Sequence, residues 1–308
     1  MQLQRQAGEL QSGGRKVSVA VGMFDGVHLG HQQVIKKTIA DAEQHKAISL
    51  AITFDKHPAQ VLAPAKAPRL IYSLPQKLRE IENLGVDAIL LIEFTKTFSE
   101  QPAEQFIRDL AHDLRQIYSI CVGGNFTFGH KRAGNVELLK TLGRELGFQV
   151  HGNEAVSLGG RVISSTRIRE RIATGDLDAA RQMLGRAYSI YGKVIQGDQL
   201  GRKIGFPTAN IDIAGVLTPP NGVYAVLGKT ELGEFQGVVN IGVRPTVAQA
   251  NPELRFELHL LDFAGDLYNT FVEVVFLQFI RPEQRFSAVD ELKDQIAKDI
   301  AAATSCFS

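Results

Sequence analysis

Two histidines three residues apart, His28 and His31, close the string VAVGMFDGVHLGH at Val19–His31. A β-rich run leads into it, Gly22, Gly26 and Gly30 punctuate it, and a helical pattern follows. Glycine at such places lets the backbone turn tightly and come close to a ligand. A helix that starts at the histidines offers unpaired N–H groups and a positive dipole end to an anion. Two imidazoles on one helix face can donate to a single phosphate, which suits attack on an α-phosphate with pyrophosphate leaving. Positioning and charge stabilisation then carry the rate, without a covalent nucleophile from the protein. The plain alternative is a set of turn glycines beside two internally satisfied histidines. The order strand, glycine loop, paired histidines, helix argues against it. Zinc is weaker still, since no third ligand with sensible spacing is evident.

A second chemical string is GRKIGFPTAN at Gly201–Asn210. Gly201 and Gly205 permit close backbone approach, and Pro207 fixes φ ahead of Thr208 and Asn210. Two oxygen-bearing side chains two residues apart point the same way from an extended segment. They could complete the shell of a Mg²⁺ that keeps waters and nucleotide phosphates. For a PTxN string alone, a turn closed by an Asx-type bond is the competing account. Further on, Glu257 alternates with Phe256 and Leu258, which by itself reads as an outward-facing strand residue.

The elements that must carry these residues fall into two textures. Apolar runs at Val17–Val21, Ile48–Phe54, Ala88–Phe94 and Ile117–Val122 alternate with helical patterns. Those patterns are Leu78, Ile81, Leu84; Phe106, Ile107, Leu110, Leu114; and Val136, Leu139, Leu142, Leu146. Uniformly apolar strands separated by amphipathic helices predict a parallel sheet covered on both faces, with ligands at the carboxyl ends of its strands. After Tyr188 come closely spaced runs, Tyr188–Ile195, Gly222–Leu227, Gly237–Ile241, Phe256–Phe263 and Phe271–Phe276. They predict a small antiparallel barrel. A last helix is expected, with Ser287 and Asp290 as a capping-box-like start and Val289, Leu292, Ile296 and Ile300 on one face. The expected fold is thus α/β plus β, with domains at 1–185 and 186–308.

The chain's 308 residues suffice for two cores, and 34 Lys and Arg against 33 Asp and Glu leave a formal charge of +1. That balance gives no support to a nucleic-acid or membrane partner. The polar N-terminus lacks the apolar core of a signal peptide, and no apolar run is long enough to span a bilayer. Cys121 and Cys306, with no CxxC or His/Cys cluster, read as a buried small hydrophobe and a tail thiol. A reducing cytoplasm fits.

The string GMFDGVHLGHQ is similar to the HxGH signature of the nucleotidyltransferase superfamily and to its bacterial FAD synthetase branch. TFDKHP at Thr53–Pro58 resembles the segment that brings His57 toward the phosphates. GGNFTFGHKRAG at Gly123–Gly134 resembles the strand-end loop that puts Asn125 near the nucleotide. SSTRIR at Ser164–Arg169 resembles the second superfamily signature, whose hydroxyls and arginines hold the outgoing phosphates. Taken singly, each has an ordinary reading: a surface histidine before a proline, a core phenylalanine pair, an N-cap with a basic helix start. Residues 188–303 resemble the riboflavin kinase family through GRKIGFPTAN, PPNGVY, NIGVRPT and ELHLLDF.

The resemblance implies a Rossmann-like nucleotidyltransferase domain and a riboflavin kinase-like barrel. It implies nucleotide or phosphate contacts from Gly22, Phe24, Asp25, Gly30, His57, Asn125, Arg161, Ser164, Ser165, Thr166, Arg169, Gly201 and Gly205. It implies flavin contacts from Phe126, Phe128 and Arg244, and Mg²⁺ at Thr208 and Asn210. Glu257 is then the base toward the ribityl hydroxyl, with His28 and His31 catalytic in the other reaction. Riboflavin, FMN and ATP are the implied substrates, giving FMN and then FAD. Asn125, Lys56 and Asn269 depart from the common pattern; Asn269 reads as a turn variant in a tolerated left-handed position. The alternatives are a riboflavin kinase fused to a nucleotidyltransferase with another acceptor, or a flavin-binding regulator without turnover.

Overall fold

The computed structural model describes residues 1–197, 201, 204–213, 215–243 and 254–307. Arg244 and the rest of the NIGVRPT string beyond Val243 lie outside them, as do Arg202 and Lys203.

The chain divides into two compact units, 1–70 with 74–165, and 71–73 with 166–308. The first is built on six strands: β1 (Gln2–Gln4), β2 (Val17–Val21), β3 (Ile48–Phe54), β4 (Ala88–Ile92), β5 (Ile117–Gly123) and β6 (Gln149–Asn153). They form one sheet in the order β1-β4-β3-β2-β5-β6, every pair parallel. Between them run α1 (Leu29–His45), α2 (Pro58–Leu62), α3 (Leu74–Glu82), α4 (Lys96–Ser99), α5 (Ala103–Leu114) and α6 (Val136–Leu146). β2 is buried at all five positions, as a strand covered on both faces must be. One core contains Phe106, Ile107, Leu110, Leu139 and Leu142; the other, around α1, contains Val34, Ile35, Ile81 and Ile89. A hairpin, β7 (Ser157–Leu158) and β8 (Arg161–Val162), turns on Gly159 and Gly160, both at positive φ.

Helices α7 (Ser165–Ala173) and α8 (Leu177–Leu184) follow, and then a six-stranded closed barrel. Its strands are β9 (Ser189–Ile195), β10 (Ala209–Ile211), β11 (Gly222–Thr230), β12 (Gly233–Val243), β13 (Leu254–Leu260) and β14 (Phe271–Arg281). All described pairings are antiparallel, in the order β10-β13-β12-β11-β14-β9, and β9 closes on β10. The parallel sheet, the antiparallel barrel and the terminal helix expected from the sequence are therefore all present. Asn269 adopts the left-handed conformation expected of it, at φ 65°.

The last helix, α9 (Val289–Thr304), is capped differently from expectation. Ala288 is its N-cap and offers no side-chain acceptor, so the capping box with Asp290 does not form. Instead Ser287 donates from its N–H and Oγ to Glu291, at 3.2 and 2.9 Å. Val289 is exposed, whereas Ile300 and Ala303 pack on Val223, Ala225 and Val238 of the barrel wall.

Candidate active sites

In the first unit the strand order reverses between β2 and β5, and crevices at such reversals are where open α/β sheets hold ligands. The loop after β2 stands there. Phe24 and Val27 have positive φ, 49° and 38°, although neither is glycine, and both rings and methyls are buried. For Val27, β-branched, this is real strain, and burial in the α1 core is what holds it. Gly22 has no room for a side chain: a Cβ there would sit 2.6 Å from the Phe24 ring.

His28 is the N-cap of α1, and its Nδ1 accepts the His31 N–H at 3.4 Å. Its proton is thereby directed to Nε2. The His28 and His31 rings stack 3.6 Å apart at 19°. The Phe24 and His31 rings meet in a T-shape, 5.4 Å apart. His31 Nδ1 is sealed from solvent with no protein partner. Burial, then the charges of His28 and Lys77, hold the His31 imidazole well below the ordinary histidine range. It is a neutral, single-proton donor at pH 7.

His57 caps α2, its Nδ1 accepting the Ala59 N–H at 3.1 Å, while its own N–H donates to Gln60. Ser165 Oγ donates to the Asp25 carbonyl at 3.0 Å, which brings Ser165 to the first loop. Arg161 is exposed on β8, and Thr166 and Arg169 lie on α7. Asn125 is exposed in the turn after β5. Phe128 is a core residue, and Phe126 stacks on it at 5.3 Å, half-buried.

Lys77 is the residue that motif reading missed. It is buried on α3, and its ammonium donates to the Phe54 carbonyl at 2.6 Å and the Met23 carbonyl at 3.4 Å. Burial lowers its pKa to about 8, against the pull of Asp25 and Asp55. The signal was available: Lys77 sits one turn before Ile81 on the apolar stripe of its helix.

In the barrel, register does the positioning. Glu257 on β13 pairs with Asn210 on β10 and with Asn240 on β12. Phe256, Leu258 and Leu260 point into the core, so Arg255, Glu257 and His259 share the opposite face. Arg255 Nη1 lies 3.4 Å from Glu257 Oε1. His259 Nδ1 donates to the Pro207 carbonyl at 2.7 Å, which fixes the PTAN string against β13. A cleft lined by Gly201, Thr208, Asn210, Asn240, Glu257 and residues of α9 runs along this face. Thr208 also lines a second cleft with Gly205, Leu260 and Tyr268. A side chain on Gly201 would meet the Phe206 carbonyl and lie 3.1 Å from Thr208 Oγ1.

No group of three or more His, Cys, Asp or Glu able to hold a metal occurs among the described residues. The hydroxyl and amide oxygens of Thr208 and Asn210 fit a hard cation that takes its remaining ligands from phosphate and water. Cys121 is buried and unbridged, its thiol pushed up to about 11 by burial, and Cys306 is half-buried.

A parallel sheet with paired histidines at its switch point, followed by a closed barrel with a carboxylate-bearing cleft, defines a two-domain enzyme of nucleotide and phosphoryl transfer. Comparison with known proteins narrows this. The FAD synthetase family model matches residues 10–167 and the riboflavin kinase model residues 184–307. A bifunctional riboflavin kinase/FMN adenylyltransferase of Haemophilus influenzae is 39% identical over 94% of each chain. Its counterpart from Escherichia coli K12 is 40% identical over 94% of this chain and 92% of its own. The chain belongs to the bifunctional riboflavin kinase/FMN adenylyltransferase family. A solved structure described as a macrolide-efflux protein from Streptococcus pneumoniae is also similar, 29% identical with TM-score 0.81 over 98% of both chains. Efflux is that protein's description alone. Among the described residues no helix is long and apolar enough to cross a membrane.

Proposed function

We propose that the two reactions of this family run at the two clefts, kinase chemistry within 186–308 and adenylyl transfer within 1–185. In the first, the ribityl 5′-hydroxyl of riboflavin attacks the γ-phosphorus of ATP, its proton passes to Glu257, and ADP leaves. A positioned carboxylate base contributes ~10²–10⁴-fold. Thr208 and Asn210 would hold Mg²⁺, which neutralises charge on the nucleotide phosphates. Arg244 is assigned to the flavin.

In the second, a phosphate oxygen of FMN attacks the α-phosphorus of a second ATP and pyrophosphate leaves. His28 and the neutral His31 donate to the α-phosphate oxygens as charge builds there, and the N-terminus of α1 adds its dipole. Gly22, Phe24, Asp25 and Gly30 shape the loop. His57, Asn125, Arg161, Ser164, Ser165, Thr166 and Arg169 are assigned to the rest of the nucleotide, with Phe126 and Phe128 on the flavin side. Gly201 and Gly205 let the barrel backbone approach the kinase's nucleotide.

The observation that supports this most is the stacked histidine pair at the helix start, with His31 held neutral by burial. The test is product analysis. Riboflavin with Mg-ATP should yield FMN, FAD and pyrophosphate. FMN without FAD would favour a transferase with another acceptor, and tight flavin binding with no turnover would favour a regulator.

A further inference from the structure

The ends of β2 and β3 carry the two histidine strings, and nothing in either string says what holds them at one spacing. Met23 begins the loop that leads to His28, and Phe54 lies three residues before His57. Two donors converge on the Met23 carbonyl: Thr53 Oγ1 at 3.1 Å and Lys77 Nζ at 3.4 Å. The same ammonium donates to the Phe54 carbonyl at 2.6 Å. We propose that Lys77 is a positioning residue for FMN adenylylation, its ammonium tying the loop that leads from β2 to the paired histidines to the end of β3. The inference rests on the assignment of adenylyl transfer to this unit.

Burying an ammonium costs several kcal/mol, and a methionine would fill the same volume without that cost. Packing therefore does not account for a lysine here. The charged and titratable groups that act on it are Asp25 in the first loop, Asp55 after β3 and His31 on α1. Two consequences follow from the tie. The loop spacing is held by two carbonyl bonds that an apolar side chain cannot make. The positive charge also disfavours protonation of His31, keeping it a neutral donor.

The test compares the full-length wild type with Lys77→Met, assayed separately for FMN from riboflavin and for FAD from FMN. Misplacing reacting groups by about 1 Å costs on the order of 10²-fold. The variant should therefore lose roughly 10–100-fold in kcat for FAD formation, with the KM for ATP little changed and FMN formation intact. The His31 ring signal in NMR should titrate at higher pH in the variant, a shift that a purely structural role would not produce. A folded variant that makes FAD within about twofold of wild type, or whose His31 titration does not move, overturns the proposal. Should the variant not fold, the wild type still decides. FAD formation should fall as pH rises through about 8 while FMN formation does not. Equal profiles for the two activities overturn it. A wild type that makes no FAD from FMN would instead sink the assignment of the reaction.

Discussion

Removing the Asp299 carboxylate tests how α9 is held against the cleft that contains Glu257. Arg281, the last residue of β14, donates from Nε to Asp299 Oδ1 at 2.8 Å and from Nη2 to Oδ2 at 2.7 Å. The pair is largely buried, with the two side chains 15% and 4% exposed, and Gln295 adds a third donor to the carboxylate at 2.9 Å. In Asp299→Ala the guanidinium keeps the Pro282 carbonyl and the Phe286 ring but loses its counter-charge. Breaking a buried pair from one side costs ~3–5 kcal/mol, and the residual exposure of Arg281 favours the lower end. At ~2–4 °C per kcal/mol, the barrel transition in calorimetry should drop by ~6–12 °C. Both residues line the cleft that contains Glu257, so the KM for riboflavin should rise while FAD formation from FMN is unchanged. Arg281→Met with Asp299→Leu should recover most of the stability, because no uncompensated charge remains. A drop of less than ~3 °C in the single variant would show the pair behaving as a surface pair worth ~1 kcal/mol or less, and would refute the argument.

Further expectations concern the two sites and the first unit's core. Glu257→Gln should abolish FMN formation yet leave added FMN adenylylated, and His28→Ala with His31→Ala should do the reverse. A folded variant that loses both activities would show that the sites are not separate. Asp41 on α1 receives Lys37 Nζ at 2.7 Å and Ser119 Oγ at 2.9 Å, and His151 Nε2 lies 3.1 Å away. Burial pushes its carboxyl up, but those hydrogen bonds and the nearby His151 and Lys37 charges outweigh it and leave it below its ordinary value. A depressed folded pKa means stability that is full above the unfolded value of ~4 and is lost as pH falls through the folded one. Asp41→Asn should thus lose ~1–3 kcal/mol at pH 7 and show a smaller acid-induced loss in urea unfolding; an unchanged acid limb would count against it.

Much of the fold was legible because its signals are local. Ile48–Phe54 reads as a strand from its own residues and is one. β1 and β10, three residues each, carry too little pattern to be seen and exist because a neighbour's edge pairs with them. The end of β14 was likewise underestimated, since its pairing with β11 carries it to Arg281. The cap of α9 was misjudged because capping depends on where the helix starts, and a shift of one residue moved the partner from Asp290 to Glu291.

The paired histidines divide in the same way. Their types, their spacing and the glycine loop before them are properties of the chain alone, and they implied phosphate chemistry without any structure. That the rings stack, that His31 is held neutral, and that Phe24 and Val27 accept strained backbone are decided by burial, which no linear spacing encodes. In the barrel, residues 47 positions apart, Asn210 and Glu257, become neighbours only through strand register. Lys77 shows the limit most clearly. On one helix turn it is a lysine beside leucines, and its partners are the carbonyls of Met23, in the loop after β2, and Phe54, at the end of β3, brought together by the sheet.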